Sequence, residues 1–155
     1  MKHFVVVCAC LLCPARLAAQ LSAADASKII DGCVAHAHQK GQSHAIVVDD
    51  DGGHTVALLR MDGNAPGITA FAMAKADAVA EWHFSTSDMA TAAKDTPGFA
   101  TAPHVVTVPG GLPVFSSDGK RFIGAVGVSG ESPTDDAACA EAGVRAAGFV
   151  SRPKT

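Results

Sequence analysis

The sequence has no tyrosine and only one tryptophan, and charged side chains make up only 17% of its 155 residues. It also contains no G-x-S-x-G, H-E-x-x-H or Walker motif, and residues 20–155 contain no C-x-x-C motif. These absences argue against a nucleophile-elbow hydrolase, a zinc protease, a P-loop nucleotide hydrolase and a thioredoxin-like oxidoreductase. The missing tyrosine removes one common general acid as well.

Long hydrophobic runs are also missing, because no segment approaches the roughly 20 apolar residues that cross a bilayer. An apolar run covers only residues 4–12, after Lys2, and small residues precede Gln20. This pattern predicts a secretory signal at 1–19, cleaved after Ala19, and one mature domain at 20–155 that works in the periplasm or outside the cell. After cleavage we expect no membrane insertion. The alternative is a buried N-terminal strand.

Excess positive charge is absent too. Removal of 1–19 takes away Lys2 and Arg16, which leaves ten basic against fifteen acidic side chains and a net charge near −5. A chain with this balance lacks the basic surface that nucleic acid requires, so we expect no nucleic-acid partner. The remaining length of about 136 residues is that of one domain with its own core.

Cysteine is scarce in the mature chain. Three of the five cysteines lie in the signal, which leaves Cys33 and Cys139. An oxidising compartment allows these two to form a disulfide. The alternative is a pair of buried free thiols, because both lie among small apolar residues.

Helical periodicity and cap residues predict a first helix from Ser22 or Asp25 to Lys40, ended by Gly41. The other predicted elements, in chain order, are strands 45–48 and 55–59, a helix from 68 to about 84, a helix 87–93, a loop 95–103, strands 105–108, 112–115 and 122–128, and a helix from Ser132 to about 147. Because helices separate the strand groups without a βαβ alternation, we predict an α+β domain with helices packed on a mainly antiparallel sheet.

Two glycine-containing segments are candidate ligand contacts. Gly110 and Gly111 allow a positive φ or a close approach to a ligand, and their amides can bind an anion. Ser129 and Gly130 lack bulk at the end of a strand just before a helix, where amides and the helix dipole favour a carboxylate or phosphate. The alternative at both places is tight packing.

Two basic residues are candidates for the same anion site. Arg60 follows a strand and can make a bidentate contact with a carboxylate. Lys75 shares the apolar face of a helix, so its charge needs a partner, for which Asp49 and Asp62 are the candidates. Asp62 can equally orient Arg60.

Five ordered segments resemble one known family, the GlcG/HbpS-like family. They are Val47-Val48-Asp49 with Gly52-Gly53, Leu58-Leu59-Arg60-Met61-Asp62, Ala74-Lys75-Ala76, Gly110-Gly111-Leu112-Pro113-Val114 leading into 124–130, and Asp136-Ala137-Ala138-Cys139-Ala140-Glu141-Ala142-Gly143. The resemblance spans almost the whole mature chain. It implies a profilin-like fold, homo-oligomers and, in several members, haem binding, sometimes with haem degradation.

Haem iron requires an axial ligand, and tyrosine is not available for this role. His36 is the first candidate because it falls on the apolar face of the first helix, whereas His38 faces water. His104 is a weaker candidate and His83 another, while Met61 is a candidate contact. A lone histidine on such a face is also often a hydrogen-bonded core residue.

We therefore expect an exported small-ligand-binding protein, with haem as the ligand held by Arg60 or Lys75 and by His36. One alternative is a cofactor-independent isomerase, tautomerase or hydrolase that acts on a small organic acid. In that case Arg60 and the Gly110-Gly111 amides hold the carboxylate, and Lys75, Asp62 or His83 takes part in proton transfer. The other alternative is an oligomeric scaffold or sensor partner.

Overall fold

The computed structural model describes residues 20–154, and the predicted signal at 1–19 lies outside the described residues. The described chain forms, in order, α1 (Ala23–Lys40), β1 (Ala45–Asp50), β2 (Thr55–Arg60), α2 (Pro66–Trp82), α3 (Thr86–Asp95), a short 3-10 turn (Phe99–Thr101), β3 (Gly111–Phe115), β4 (Phe122–Ser129) and α4 (Pro133–Ala146).

The helix ends follow the predicted cap residues. The Ser22 side chain accepts a hydrogen bond from the Asp25 N–H at the start of α1, and Gly41 ends that helix in the left-handed conformation. Ser132 caps α4 in the same way, with Pro133 in its first turn. Short-range signals therefore set these boundaries.

The four strands form one antiparallel sheet in the order β2-β1-β4-β3. Both faces of β1 are covered, which explains its continuous apolar sequence. Ile46 and Val48 belong to the main core with α1 and α4, whereas Ala45 and Val47 pack against α2 on the opposite face. The domain therefore has three layers, and the predicted α+β class with an antiparallel sheet is confirmed.

Helix α2 lies very close to β4 at Gly127. A Cβ atom there would collide with the Ala72 carbonyl oxygen and would lie 2.5 Å from the Ala76 nitrogen. Only glycine permits this approach. The contact fixes the height of α2 above the sheet and hence the position of Lys75, one helical turn after Ala72.

The two cysteines of the described chain are joined. A disulfide links Cys33 of α1 to Cys139 of α4 with 4.7 Å between their Cα atoms, and both side chains are fully buried. The bond connects two neighbouring helices on the same face of the sheet. It spans a sequence separation of 106 residues.

Three predicted elements need correction. Residues 105–108 form no strand, because the Val105 N–H closes a turn onto the Ala102 carbonyl and the run is confined between Pro103 and Pro109. Helix α2 ends at Trp82, since His83 adopts a left-handed conformation with φ of 60°. Helix α3 begins earlier than predicted because Ser85 is its N-cap.

No helix within residues 20–154 is both long and apolar enough to cross a membrane.

Candidate functional site

A group of three charged or polar side chains lies inside the domain, where the start of β1 and the end of β4 meet the first turn of α4. Lys75 and His44 have no exposed surface, and Asp136 is 2% exposed. We refer to Lys75, Asp136 and His44 as the buried cluster.

Asp136 is the centre of this cluster. Its Oδ2 accepts a hydrogen bond from Lys75 Nζ at 2.9 Å, and its Oδ1 accepts from the Glu131 N–H at 3.1 Å. His44 Nδ1 lies 3.2 Å from the same Oδ1. Because an ionised carboxylate only accepts hydrogen bonds, this contact assigns the imidazole proton to Nδ1. Both oxygens of the carboxylate are therefore engaged.

The Lys75 amine has two acceptors and an aromatic neighbour. In addition to Asp136, it donates to the Val128 carbonyl at 2.8 Å, and it lies 4.8 Å from the centre of the Phe71 ring. Burial lowers the pKa of Lys75, and the hydrogen bond and charge of Asp136 oppose that change. The predicted partners Asp49 and Asp62 are wrong, since the partner is Asp136 at the start of α4.

Glycine makes room for the amine. Gly110 has φ of 129°, and a Cβ atom built on it would lie 2.6 Å from Lys75 Nζ. The next amide, that of Gly111, donates to the Thr86 hydroxyl at 3.0 Å. In this structure the glycine pair thus packs around Lys75, and the Gly111 amide is already bonded within the protein.

The predicted anion site before α4 is occupied by the protein's own groups. The Glu131 and Asp135 amides donate to Asp136 and to Ser132. Ser129 is 3% exposed, and a Cβ atom on Gly130 would meet the Ser43 carbonyl oxygen. Close packing accounts for these small residues.

His44 has one unsatisfied atom. Its Nε2 is buried and has no hydrogen-bond partner within residues 20–154. No sequence pattern pointed to His44, and Asp136 occurred only within a family segment. The one local signal for Asp136 is its place in the first turn of a helix, where an acid is favoured for a different reason, the helix dipole.

Asp49 is a second buried acid, on the face of β1 that carries Ala45 and Val47, towards α2. Burial raises its pKa to about 6, and the carboxylates of Asp77 and Asp50 add to this shift while the Thr55 hydroxyl opposes it. The Asp49 carboxyl group therefore keeps its proton to a higher pH than the carboxyl group of an exposed aspartate does.

A groove opens between α1 and the end of β2, with a volume of about 370 Å³. We call it the α1–β2 groove. It is lined by Val34, His38, Gln42, Ser43, Leu59, Arg60, Met61 and Asp62. Arg60 is exposed and donates through Nη1 to the Asn64 carbonyl, which leaves its other N–H groups available.

The groove and the buried cluster touch through His44. The His44 N–H donates to the Met61 sulfur at 3.4 Å, and the Met61 N–H donates to the His44 carbonyl at 2.9 Å. One wall of the groove is thereby attached to the residue that binds Asp136.

The structure separates residues that were predicted to share one site. Arg60, Met61 and Asp62 line the groove, whereas Lys75 is in the buried cluster. His36 is half-buried and does not line the groove, whereas His38 does. Two residues apart on a helix, these histidines point to nearly opposite sides.

The other two predicted histidines lie elsewhere. His83 is exposed and stacks on Phe122 with 4.1 Å between ring centres. His104 is exposed beside Trp82, where it lines a small cleft. The structure therefore does not bring His83 or His104 to Arg60 or to Lys75.

Comparisons with known proteins agree with the sequence resemblance. The family described as "Haem degrading protein HbpS-like" matches residues 21–145. Protein GlcG of Escherichia coli K12 is 39% identical over 110 residues, which cover 70% of this chain and 81% of GlcG.

Solved structures share the fold. A double mutant of HbpS from Streptomyces reticuli superposes with a TM-score of 0.75 at 26% identity, over 94% of this chain and 97% of that one. A structure described as a PduOC:heme complex gives a TM-score of 0.78 at 22% identity, over 86% and 99% of the two chains. The match to the family along most of its length, together with the identity to GlcG, shows that this chain belongs to the HbpS-like family.

Proposed function

We propose that this protein is an exported haem-binding protein and that the α1–β2 groove is its haem site. The observation that carries the proposal is the position of Arg60 in the same groove as an imidazole, a thioether and apolar walls. The HbpS-like family and the haem complex of the PduOC structure support haem as the ligand.

The donor set of the groove fits haem. Leu59 is 37% exposed, and with Val34 it provides apolar surface for the porphyrin. The free N–H groups of Arg60 suit a propionate carboxylate. Imidazole and thioether are both ligand types that haem iron accepts. When bound, haem supplies an iron centre that can change oxidation state or hold a further small ligand.

The residues of the chain have distinct roles in this proposal. Arg60 would bind and orient the propionate, while Asp62 supplies a carboxylate to the lining of the same groove. Val34 and Leu59 would exclude water from the part of the haem that contacts them. The Met61 sulfur already accepts the His44 N–H, so His38 would be the better placed side chain to hold the haem iron.

The sequence favours His36 as the iron ligand, whereas the groove contains His38. The two positions lead to different expectations for where haem binds. A site at His36 would lie on the flank of α1 away from the groove, without Arg60. A site at His38 would lie in the groove and would include Arg60. The comparison of the two single variants therefore tests the location as well as the ligand.

Export and assembly are further parts of the proposal. The predicted signal at 1–19 supports a periplasmic or secreted location, and a disulfide between Cys33 and Cys139 is consistent with an oxidising compartment. Homo-oligomers are expected from the family resemblance. Mass spectrometry of the exported protein should find Gln20 as its first residue.

The decisive experiment is a hemin titration of purified residues 20–155, followed by absorbance. We expect a sharp, saturable Soret band that His38→Ala weakens about tenfold in affinity and Arg60→Gln weakens about fivefold. His36→Ala and Arg145→Gln, which change the same residue types outside the groove, serve as matched controls. A broad absorbance without saturation would contradict haem binding, and a loss in His36→Ala alone would contradict the groove.

A further inference from the structure

A small cleft lies at the C-terminal end of α2, apart from the α1–β2 groove. It has a volume of about 270 Å³ and is lined by Glu81, Trp82, Pro103 and His104. None of these residues is lysine or arginine, and the last turn of α2 contains no basic residue. The cleft therefore holds one carboxylate and no fixed positive side chain.

The indole of Trp82 is held in one orientation. Its Nε1 donates to the Pro103 carbonyl at 3.1 Å, and its ring packs edge to face on Phe99 with 5.2 Å between centres. Phe84 makes a second edge contact at 6.2 Å. Despite these contacts Trp82 is only half-buried, so part of the ring remains open to the cleft.

Backbone conformation at both edges of the cleft is unusual. His83 and His104 have φ of 60° and 57°, and they are the only residues other than glycine with positive φ in the described part of the chain. Such conformations cost free energy for a residue with a Cβ atom, and they concentrate at functional sites. His83 directly follows Trp82 and His104 directly follows Pro103, the two residues that the indole hydrogen bond joins.

The electrostatics of the cleft select a cation. The last carbonyl groups of a helix lack intrahelical partners and form the negative end of its dipole. The Glu81 carboxylate is exposed at the same place, and an indole face attracts positive charge. Three independent features thus favour a positive ligand.

The form of the cation follows from the apolar walls. The Pro103 carbonyl is already used by Trp82. Indole and proline present hydrocarbon surface, so the acceptors left in the lining are the Glu81 carboxylate and the His104 ring. A compact ammonium is strongly hydrated and needs several acceptors, whereas a methylated ammonium needs none. We propose that this cleft binds a quaternary ammonium group, with Trp82 as the aromatic contact and Glu81 as the counter-ion.

Trp82 is the only tryptophan of the chain, so its fluorescence reports the cleft directly. Choline and tetramethylammonium should change the emission saturably, while ammonium chloride and the neutral isostere 3,3-dimethylbutan-1-ol should not. Glu81→Gln should weaken choline binding about fivefold, and Glu141→Gln on α4 should leave it unchanged. Circular dichroism checks that both variants are folded.

The same group occurs free in solution and on a lipid headgroup. Sedimentation with phosphatidylcholine vesicles, compared with phosphatidylglycerol vesicles, separates these sources. Saturable binding of choline, alone or on the vesicle, supports the proposal. An equal response to the neutral isostere, no response to any cation, or an unchanged affinity in Glu81→Gln overturns it. Hemin binding in the α1–β2 groove is independent of each of these outcomes.

Discussion

Lys75 and Asp136 come from helices on opposite faces of the sheet, and they meet at 2.9 Å beside the last residues of β4. Lys75 belongs to α2, which covers one face, and Asp136 begins α4, which covers the other. The pair therefore joins all three layers of the domain at one point. Through His44 it also reaches Met61 in the wall of the α1–β2 groove.

This geometry predicts a large loss of stability when Lys75 is removed. Lys75→Met leaves the Asp136 charge buried without its main partner, and it should lower the free energy of unfolding by about 3 kcal/mol or more. Lys28 makes a contact of the same 2.9 Å length with Asp25 at the surface. Lys28→Met is the matched control and should have little effect, because solvent screens exposed pairs. Similar losses in the two variants, measured by urea unfolding, would contradict a stabilising role of the buried pair.

Gly110 should tolerate alanine much less well than Gly63. Both have positive φ, but a Cβ atom on Gly63 meets nothing within 4 Å, whereas one on Gly110 would lie 2.6 Å from Lys75 Nζ and 2.5 Å from the Val128 oxygen. Gly63→Ala therefore measures backbone strain alone. We expect Gly110→Ala to be less stable than Gly63→Ala by about 2 kcal/mol. Equal thermal and urea stability of the two would show that the amine does not need this space.

Asp49 should make the protein less stable as the pH rises. Its pKa is raised from the usual 3.8 to about 6 in the folded state, mainly by burial, so the folded protein holds this proton more tightly than the unfolded chain does. The free energy of unfolding should therefore fall between about pH 4 and pH 7, by on the order of 3 kcal/mol from this group. Asp49→Asn should remove that fall, and it should be more stable than the unmodified protein at pH 7.

The neighbouring Asp50 is a control, because its pKa is shifted in the opposite direction from that of Asp49. Burial acts to raise its pKa, but hydrogen bonds from the His54 and Gly52 amides outweigh burial and hold the pKa below its usual value. Asp50 therefore contributes stability that is present above the unfolded pKa and is lost as the pH falls. Asp50→Asn should be more damaging at pH 7 than at pH 3. If both variants change the pH dependence of stability in the same direction, burial does not raise the pKa of Asp49 as described.

The Cys33–Cys139 disulfide should contribute measurably to the free energy of unfolding. It closes a loop with a sequence separation of 106 residues, and loops of this length correspond to about 4–5 kcal/mol in the chain-entropy description. Denatured protein purified from an oxidising compartment should show no free thiol at residues 20–155. The double variant Cys33→Ala, Cys139→Ala should unfold at lower urea concentration. Two reactive thiols in the unreduced protein would refute the bond.

Local sequence signals predicted most of the elements. Ser22, Gly41 and Ser132 mark helix ends through hydrogen bonds to neighbouring amides or through a left-handed backbone, and these effects act within a few residues. Alternation and apolar runs likewise located β1, β2, β3 and β4. The strand predicted at 105–108 was wrong because local pattern alone does not supply a partner strand. Four β-branched residues favour a strand only if such a partner is available.

The sequence by itself determined the helices, most of the strands, the α+β class and the resemblance to a family, because each of these depends on short-range pattern or on ordered motifs. Only the tertiary structure decided that Lys75 pairs with Asp136, 61 residues away, and that Arg60 shares a groove with His38 and not with Lys75. These relationships depend on which faces of distant elements pack together. No hydrogen bond between neighbours in the chain encodes that choice, so it becomes visible only when the layers are assembled.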